Sequence, residues 1–318
     1  MNFAVVKLRF ISPVHFGSGF LSGGGNGFGA DTLFSALYLE ALKTAKAKAQ
    51  HLYELCAQNR LWWSDSFPYR EDRIYLPKPL IRIASAKATD PGERKKFKKL
   101  EYIAADLFEE YLKGNFDWER NGNPVGTACT VAKNTRRDPD EQNMYYVGEV
   151  VFAPGTGLYV IVAYDDYSVL EEFSFLIDSL SASGIGGKRS IGKGQFKFTV
   201  EKHSAVEKHV RLGGGSESQT TESNKSDPDF MLLSGALPGQ DELVPALDGA
   251  SYLLQKRSGF VYSADGAQGV AVKKKDLYIF KSGSCFVHPF AGKIYDVSPD
   301  KADHEVLRYA KAMFWELK

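Results

Sequence analysis

Cysteine is scarce. The three residues Cys56, Cys129 and Cys285 lie far apart and form no C-x-x-C pair. That spacing excludes a disulfide-stapled scaffold and a cysteine-built zinc knuckle. Histidine is thin as well, with six residues, none clustered with another ligand type. Acidic pairs such as Glu109-Glu110 and Asp165-Asp166 lack partners at metal-ligand spacing, so neither a metal site nor a cofactor is expected. Apolar runs are of strand length only, which argues against a membrane span. The opening MNFAVVKLRF alternates polar and apolar residues instead of building the apolar centre of a signal peptide. These absences point to a cytoplasmic protein with reduced thiols. Charge of one sign is missing too: 40 basic residues nearly balance 39 acidic ones, for a net +1. A nucleic-acid face, if present, is therefore local, with the remaining surface left for protein partners.

What is present is enough chain for two domains, 318 residues with 43% hydrophobic content. Residues 3–11 alternate Val6, Leu8 and Phe10 against Lys7 and Arg9, a strand with one buried face. Asp31 is placed to N-cap a helix that carries Leu33, Phe34, Leu37, Tyr38, Ala41 and Leu42 and runs on to Ala49. Strand patterns recur near 73–83, 145–152 and 158–164, with a charged helical stretch near 93–113. Helical spacing returns over 168–182, and residues 192–201 alternate again, with Phe196, Phe198 and Val200 inward. Strand, helix and strand on short links make an α+β sandwich of the ferredoxin-like kind. Residues 212–228 are almost free of apolar side chains and read as a flexible linker. Beyond it, DFMLL, DLYIF and CFVHPF read as strands and 302–317 as a closing helix. The domain reading is thus 1–211, the linker 212–228, and a second unit 229–318.

The strongest local signal is SGIGGKRSIGKGQF. Gly184, Gly186, Gly187, Gly192 and Gly194 expose backbone amides, while Lys188, Arg189 and Lys193 add positive charge beside Ser190, a combination suited to wrapping phosphate. It is not a P-loop: Gly194 stands where Ser or Thr is required, and a helix precedes the loop while a strand follows. The dinucleotide fingerprint fails because Arg189 takes its third glycine position. His15, in SPVHFGSG, reads as an RNA contact, a turn residue or a general base. Gly17, Ser18 and Gly19 beside it could offer amides to the same phosphates. The segment 131–145 reads as a hairpin with a charged tip: Lys133, Arg136 and Arg137 offset by Asp138, Asp140 and Glu141, with Met144 and Tyr145 as stacking elements.

Taken in order, SPVHFGSG, the helix opening DTLFSAL (31–37), YLPKPL (75–80), GIGGKRSIGKGQF and KKDLYIFKSGSCF (274–286) resemble the RAMP-superfamily CRISPR proteins. Within them the chain looks like the Csm-type subunit of type III-A effector complexes that caps the crRNA 5′ end. The resemblance implies two ferredoxin-like (RRM-related) domains with a glycine-rich loop and a β-hairpin thumb at 131–145. It implies a non-catalytic antiviral-defence subunit that grips the crRNA 5′ handle. The partners it implies are a large polymerase/cyclase-like subunit, a backbone RAMP subunit, and target RNA near the handle edge. A crRNA-processing endoribonuclease with His15 as base, and a stand-alone RNA-binding protein, are the other readings.

Overall fold

The structure is a computed structural model that describes residues 1–17, 22–83, 95, 97–123, 126–138, 141–214, 228–261, 272–300, 302 and 304–317, with the backbone alone over 134–138 and 141–143. Strand β1 (Asn2–Phe10) sits inside an antiparallel sheet, paired with β8 (Thr156–Tyr164) on one side and β9 (Phe196–Glu201) on the other. The sheet continues from β8 through β3 (Phe67–Arg70) and β4 (Arg73–Pro77) to β5 (Tyr102–Ala104), while β2 (Leu61–Trp63) also joins β8. All nine residues of β8 are buried. That is the pattern of a strand covered on both faces.

Helices α1 (Ala30–Thr44), α2 (Lys46–Ala57) and the long helix Tyr167–Ser183 cover one face, over Val6, Leu8, Val160 and Val162. The opposite face, with Val5 and Ile161, packs against Met231, Met313 and Trp315 from the C-terminal half. The expectation of a single buried face on β1 is therefore corrected. Lys7 is only 8% exposed, and its ammonium is held by Glu201 at 2.6 Å.

Other boundaries shift for equally physical reasons. Gly29, not Asp31, is the N-cap of α1, because the Asp31 carboxylate is taken by two arginines described below. The helix stops at Ala45, whose ψ of 147° is extended, and α2 starts afresh. The 93–113 stretch is interrupted by β5 before a short helix, Phe108–Leu112. Val200 is 40% exposed although Phe196 is buried as expected. The expected closing helix is two strands, β16 (Leu307–Lys311) and β17 (Met313–Glu316). Between β5 and β8 lies a hairpin, β6 (Thr127–Asp138) with β7 (Glu141–Val151), a two-stranded ribbon outside both larger sheets and bridged at its root by Val14.

A second sheet has the order β10 (Val210–Leu212), β17, β11 (Phe230–Leu232), β14 (Cys285–Phe286). Of the linker 212–228, Leu212 closes β10, and 215–227 lie outside the described residues. Two further ribbons, β12 (Leu254–Arg257) with β13 (Leu277–Phe280) and β15 (Gly292–Asp296) with β16, complete this half. Among the described residues no helix is long and apolar enough to cross a membrane.

Lys311 staples the halves. Its ammonium, 2% exposed as a residue, donates to the Cys56 carbonyl and to Asn59 Oδ1 at the end of α2, and lies 4.0 Å from the Trp62 ring centroid. Burial without a carboxylate pushes its pKa down to about 8. The unfolded chain then holds more protons than the native one between pH 8 and about 10.5, so this group's penalty on folding lifts as pH rises through that window. Buried Cys56 and Cys285, pushed up to about 12, work in the opposite direction above pH 9. The expected result concerns the stability of the native chain relative to a Lys311→Met variant. Measured by denaturant melts, that difference shifts towards the native chain by up to about 3 kcal/mol between pH 7.5 and 10.5. A pH-independent difference would show that Lys311 titrates alike in the folded and the unfolded chain, so that burial does not depress it.

Candidate nucleic-acid interface

The segment leaving β1 threads between the glycine loop and the root of the hairpin. Ile11 N–H donates to Gln195 O at 2.9 Å, and Val14 exchanges two backbone hydrogen bonds with Val150, at 3.0 and 2.8 Å. His15 follows and is buried at 6% exposure. Its Nδ1 lies 2.6 Å from Gly148 O. A carbonyl only accepts, so Nδ1 carries a proton and donates it to Gly148. The His15 carbonyl in turn accepts from Gly187 N–H at 2.8 Å. His15 is thus a clasp between hairpin and loop. Among the described residues Gly148 is the only hydrogen-bond partner of the ring.

The glycine loop is a folded unit, not an open necklace of amides. Gly184 ends the long helix by donating to Leu180 O, and Gly187, Gly192 and Gly194 donate to His15, Arg189 and Pro13 carbonyls. The expectation that these amides are unshielded is corrected for those four, since a short loop satisfies its own donors wherever it can. Gly194 shows why glycine is needed. Its φ is +79°, and a Cβ there would sit 2.1 Å from Ile185 O. The protruding tip is Lys188 to Gly192, a left-handed residue followed by a 3-10 turn.

The three loop cations point three ways. Lys193 bonds Glu149 Oε2 at 2.8 Å, and Glu149 on β7 is 2% exposed. Lys188 Nζ stands 5.4 Å from the centroid of the Tyr145 ring, also on the hairpin. Arg189 alone lines a cavity of about 900 Å³. Ser190 and Gly192 are exposed at the tip. Gly17 lies on the cavity wall, whereas Ser18 and Gly19 lie outside the described residues. On the hairpin, Lys133 is half-buried and Met144 is 62% exposed, while the side chains of Arg136 and Arg137 lie outside what is described.

The cavity gathers residues that no local motif announces. Its walls include 24–29, Thr32 and Ser35 of α1, Lys78 after β4, Lys98, the loop residues Ile185–Gly187, and Leu253, Gln255, Arg257 and Lys281 from the C-terminal half. Lys78 is engaged, donating to Phe97 O at 2.6 Å and lying over the Phe97 ring, and burial lowers its pKa. Arg257 is engaged as well. With Arg308 it brackets Asp31: Arg257 Nε donates at 2.8 Å, and Arg308 Nη1 at 2.6 Å. Burial pushes the Asp31 carboxyl up, but the two guanidinium groups together hold it below the usual carboxylate range. Neighbouring Asp65, raised by burial, accepts from Ala30 N–H at 2.8 Å and Gly235 N–H at 2.9 Å. Both carboxylates are spent on joining the halves. Lys98, Arg189 and Lys281 make no ion pair among the described residues, and all three line the cavity. Against them stands a further lining carboxylate in no ion pair among the described residues, Glu101, which accepts from Asn26 Nδ2 at 3.3 Å, so the free charge is still net positive. Among the described residues no group of His, Cys, Asp and Glu could hold a metal ion.

The relation to known proteins is direct. The chain is 37% identical over 311 residues to the CRISPR-system protein Csm4 of Streptococcus thermophilus, which covers 96% of this chain and 95% of that protein. The chain belongs to the Csm4 family. Csm4 of Mycobacterium tuberculosis is 33% identical over 100% of this chain and 98% of its own length. The model of the CRISPR Csm4 C-terminal domain matches residues 225–317. Among solved structures, a chain of the Csm3–Csm4 subcomplex of the type III-A CRISPR-Cas interference complex superposes with a TM-score of 0.64 at 16% identity, covering 99% of each chain. A chain of the Csm1–Csm4 cassette in complex with AMPPNP gives 0.60 at 18% identity, covering 99% and 98%. At these identities the superpositions speak for the fold. The fold is a mixed α/β Csm4 fold of several antiparallel sheets.

Proposed function

We propose that this chain is the non-catalytic subunit of a type III-A CRISPR effector complex that binds the 5′ handle of the crRNA, in antiviral defence. One observation carries the reading: a cavity built by both halves of the chain, with Lys98, Arg189 and Lys281 on its walls and in no ion pair among the described residues, opens beside the glycine loop and the root of the hairpin. Single-stranded RNA is held by cations along its backbone, with aromatic or apolar side chains against the bases. The hairpin, with Met144 and Tyr146 exposed, is the thumb of this reading and meets target RNA at the handle edge. The sheet order β9-β1-β8-β3, with helices on one face, supports a ferredoxin-like reading of the N-terminal unit. A second such unit is the proposal for 229–318. Csm3 and Csm1 accompany Csm4 in the solved complexes, which supports two partner subunits, a backbone and a large one, for this chain to bridge.

The endoribonuclease reading would need a general base within reach of a ribose hydroxyl and a second acid. His15 has its Nδ1 committed to Gly148 and no titratable neighbour bonded to the ring. Purified protein incubated with repeat RNA, with or without divalent metal, is expected to leave it intact; metal-independent cleavage lost in His15→Ala would promote the nuclease reading. The principal test is co-expression with the other complex subunits, purification, and sequencing of the bound RNA. The expected outcome is a population with one repeat-derived 5′ end. RNA with scattered 5′ ends, or none, would remove handle capping.

A further inference from the structure

The hairpin β6–β7 has no sheet to orient it. A two-stranded ribbon is marginal alone, so its direction has to come from contacts at its root. Those contacts fall on three consecutive residues of β7. Gly148 accepts from His15, Glu149 binds Lys193, and Val150 pairs with Val14. Two of the three are made by the segment that leaves β1. Lys193–Glu149 is the one made by the glycine loop.

That ion pair is expensive for the fold. Glu149 is 2% exposed, and its second oxygen, Oε1, is buried without a hydrogen-bond partner. A half-satisfied buried carboxylate is a poor way to stabilise a core, where apolar residues of similar volume commonly do as well or better. What a buried ion pair does supply is direction, because only one placement of the two chains satisfies it. Lys188 against Tyr145 adds a second contact from the same loop to the same strand. Arg189, between them in sequence, faces the cavity instead.

We infer that Glu149 is a positioning residue. By holding Lys193, it locks the hairpin to the glycine loop, so that the loop gripping the RNA backbone also sets the angle at which the hairpin meets the neighbouring nucleotides. Lys193 is then a strut and not a phosphate ligand. The inference rests on the RNA-binding reading above and refines it.

The test uses the assembled complex with its crRNA and the isosteric variant Glu149→Gln, alongside Lys193→Met and Lys193→Arg. Three readouts are taken: RNA retained after purification, the salt dependence of RNA binding, and chemical probing of the nucleotides that flank the handle. Glu149→Gln and Lys193→Met are expected to retain RNA and to keep the native salt slope. Both should change the reactivity of the same flanking nucleotides several-fold, and the double variant should do no more than either alone. Lys193→Arg should restore the native pattern. The inference is overturned if Lys193→Met lowers the salt slope by roughly 0.7, as a lost single-strand phosphate contact would, while Glu149→Gln changes nothing. It is equally overturned if both variants leave the probing pattern native. If the native complex carries no crRNA at all, it is the RNA-binding reading that fails. A melting temperature for each variant separates loss of fold from loss of alignment.

Discussion

Replacing Asp31 with Ala is expected to destabilise the protein by about 3–5 kcal/mol, the usual cost of stripping one partner from a buried ion pair. Two guanidinium groups would be stranded, Arg257 from β12 and Arg308 from β16, and Arg308 is only 7% exposed. Nε of Arg308 already lacks a partner. In a chain of this size the melting temperature should fall by on the order of 10 °C. Asp31→Asn, which keeps an acceptor but removes the charge, should fall between the two. Because the folded Asp31 carboxyl is held below its usual range, its contribution is present at neutral pH and is lost as acid titrates it. The gap between native and Asp31→Ala melts should therefore narrow below about pH 4. A variant as stable as the native chain at pH 7 would mean that the junction of the two halves does not depend on this bracket.

The second large effect concerns binding. Converting Lys98, Arg189 and Lys281 to Ala together should weaken crRNA binding by roughly 10³-fold at low salt, taking about 1.5 kcal/mol for each hydrogen bond to a charged group. The same change should flatten the logarithmic salt dependence by about 2, at roughly 0.7 for each single-strand phosphate contact. Altered affinity with an unchanged salt slope would place these cations away from phosphates. None of the three carries an ion pair among the described residues, so the melting temperature should hold.

Comparison of sequence with structure shows which kinds of information are local. The long helix 167–183 and the strand at 2–10 were legible because their periodicity is carried by adjacent residues. So was the glycine loop, as a loop. What Lys193 does was not legible, since its partner Glu149 lies on another element 44 residues away. The Asp31–Arg257–Arg308 bracket, joining residues more than 220 positions apart, left no trace in spacing. The 302–317 segment misleads for a different reason. Met313, Phe314 and Trp315 are all buried, one face of β17 against each cluster, so the alternation that marks a half-buried strand is erased. With Leu, Ala, Lys and Glu around them, such a run also satisfies a helical pattern. Cavity residues such as Lys98 and Lys281 are single charges whose meaning comes only from convergence.

The position of β17 in the middle of the second sheet also has a temporal side. It pairs with β10 in the register Val210↔Trp315 and with β11 in the register Met231↔Trp315. Each of those neighbours must therefore wait for a segment made some eighty to one hundred residues later. Contacts of such high sequence separation are slow to form, because the loop between them has to close first. Until then β10 and β11 present unpaired edges, and the lower face of the first sheet, with Val5 and Ile161, stays open to water. The nascent protein passes through a sticky interval that ends only when residues 313–316 slot between their waiting neighbours. Shielding by a chaperone or by an already folded partner subunit would matter most during that interval.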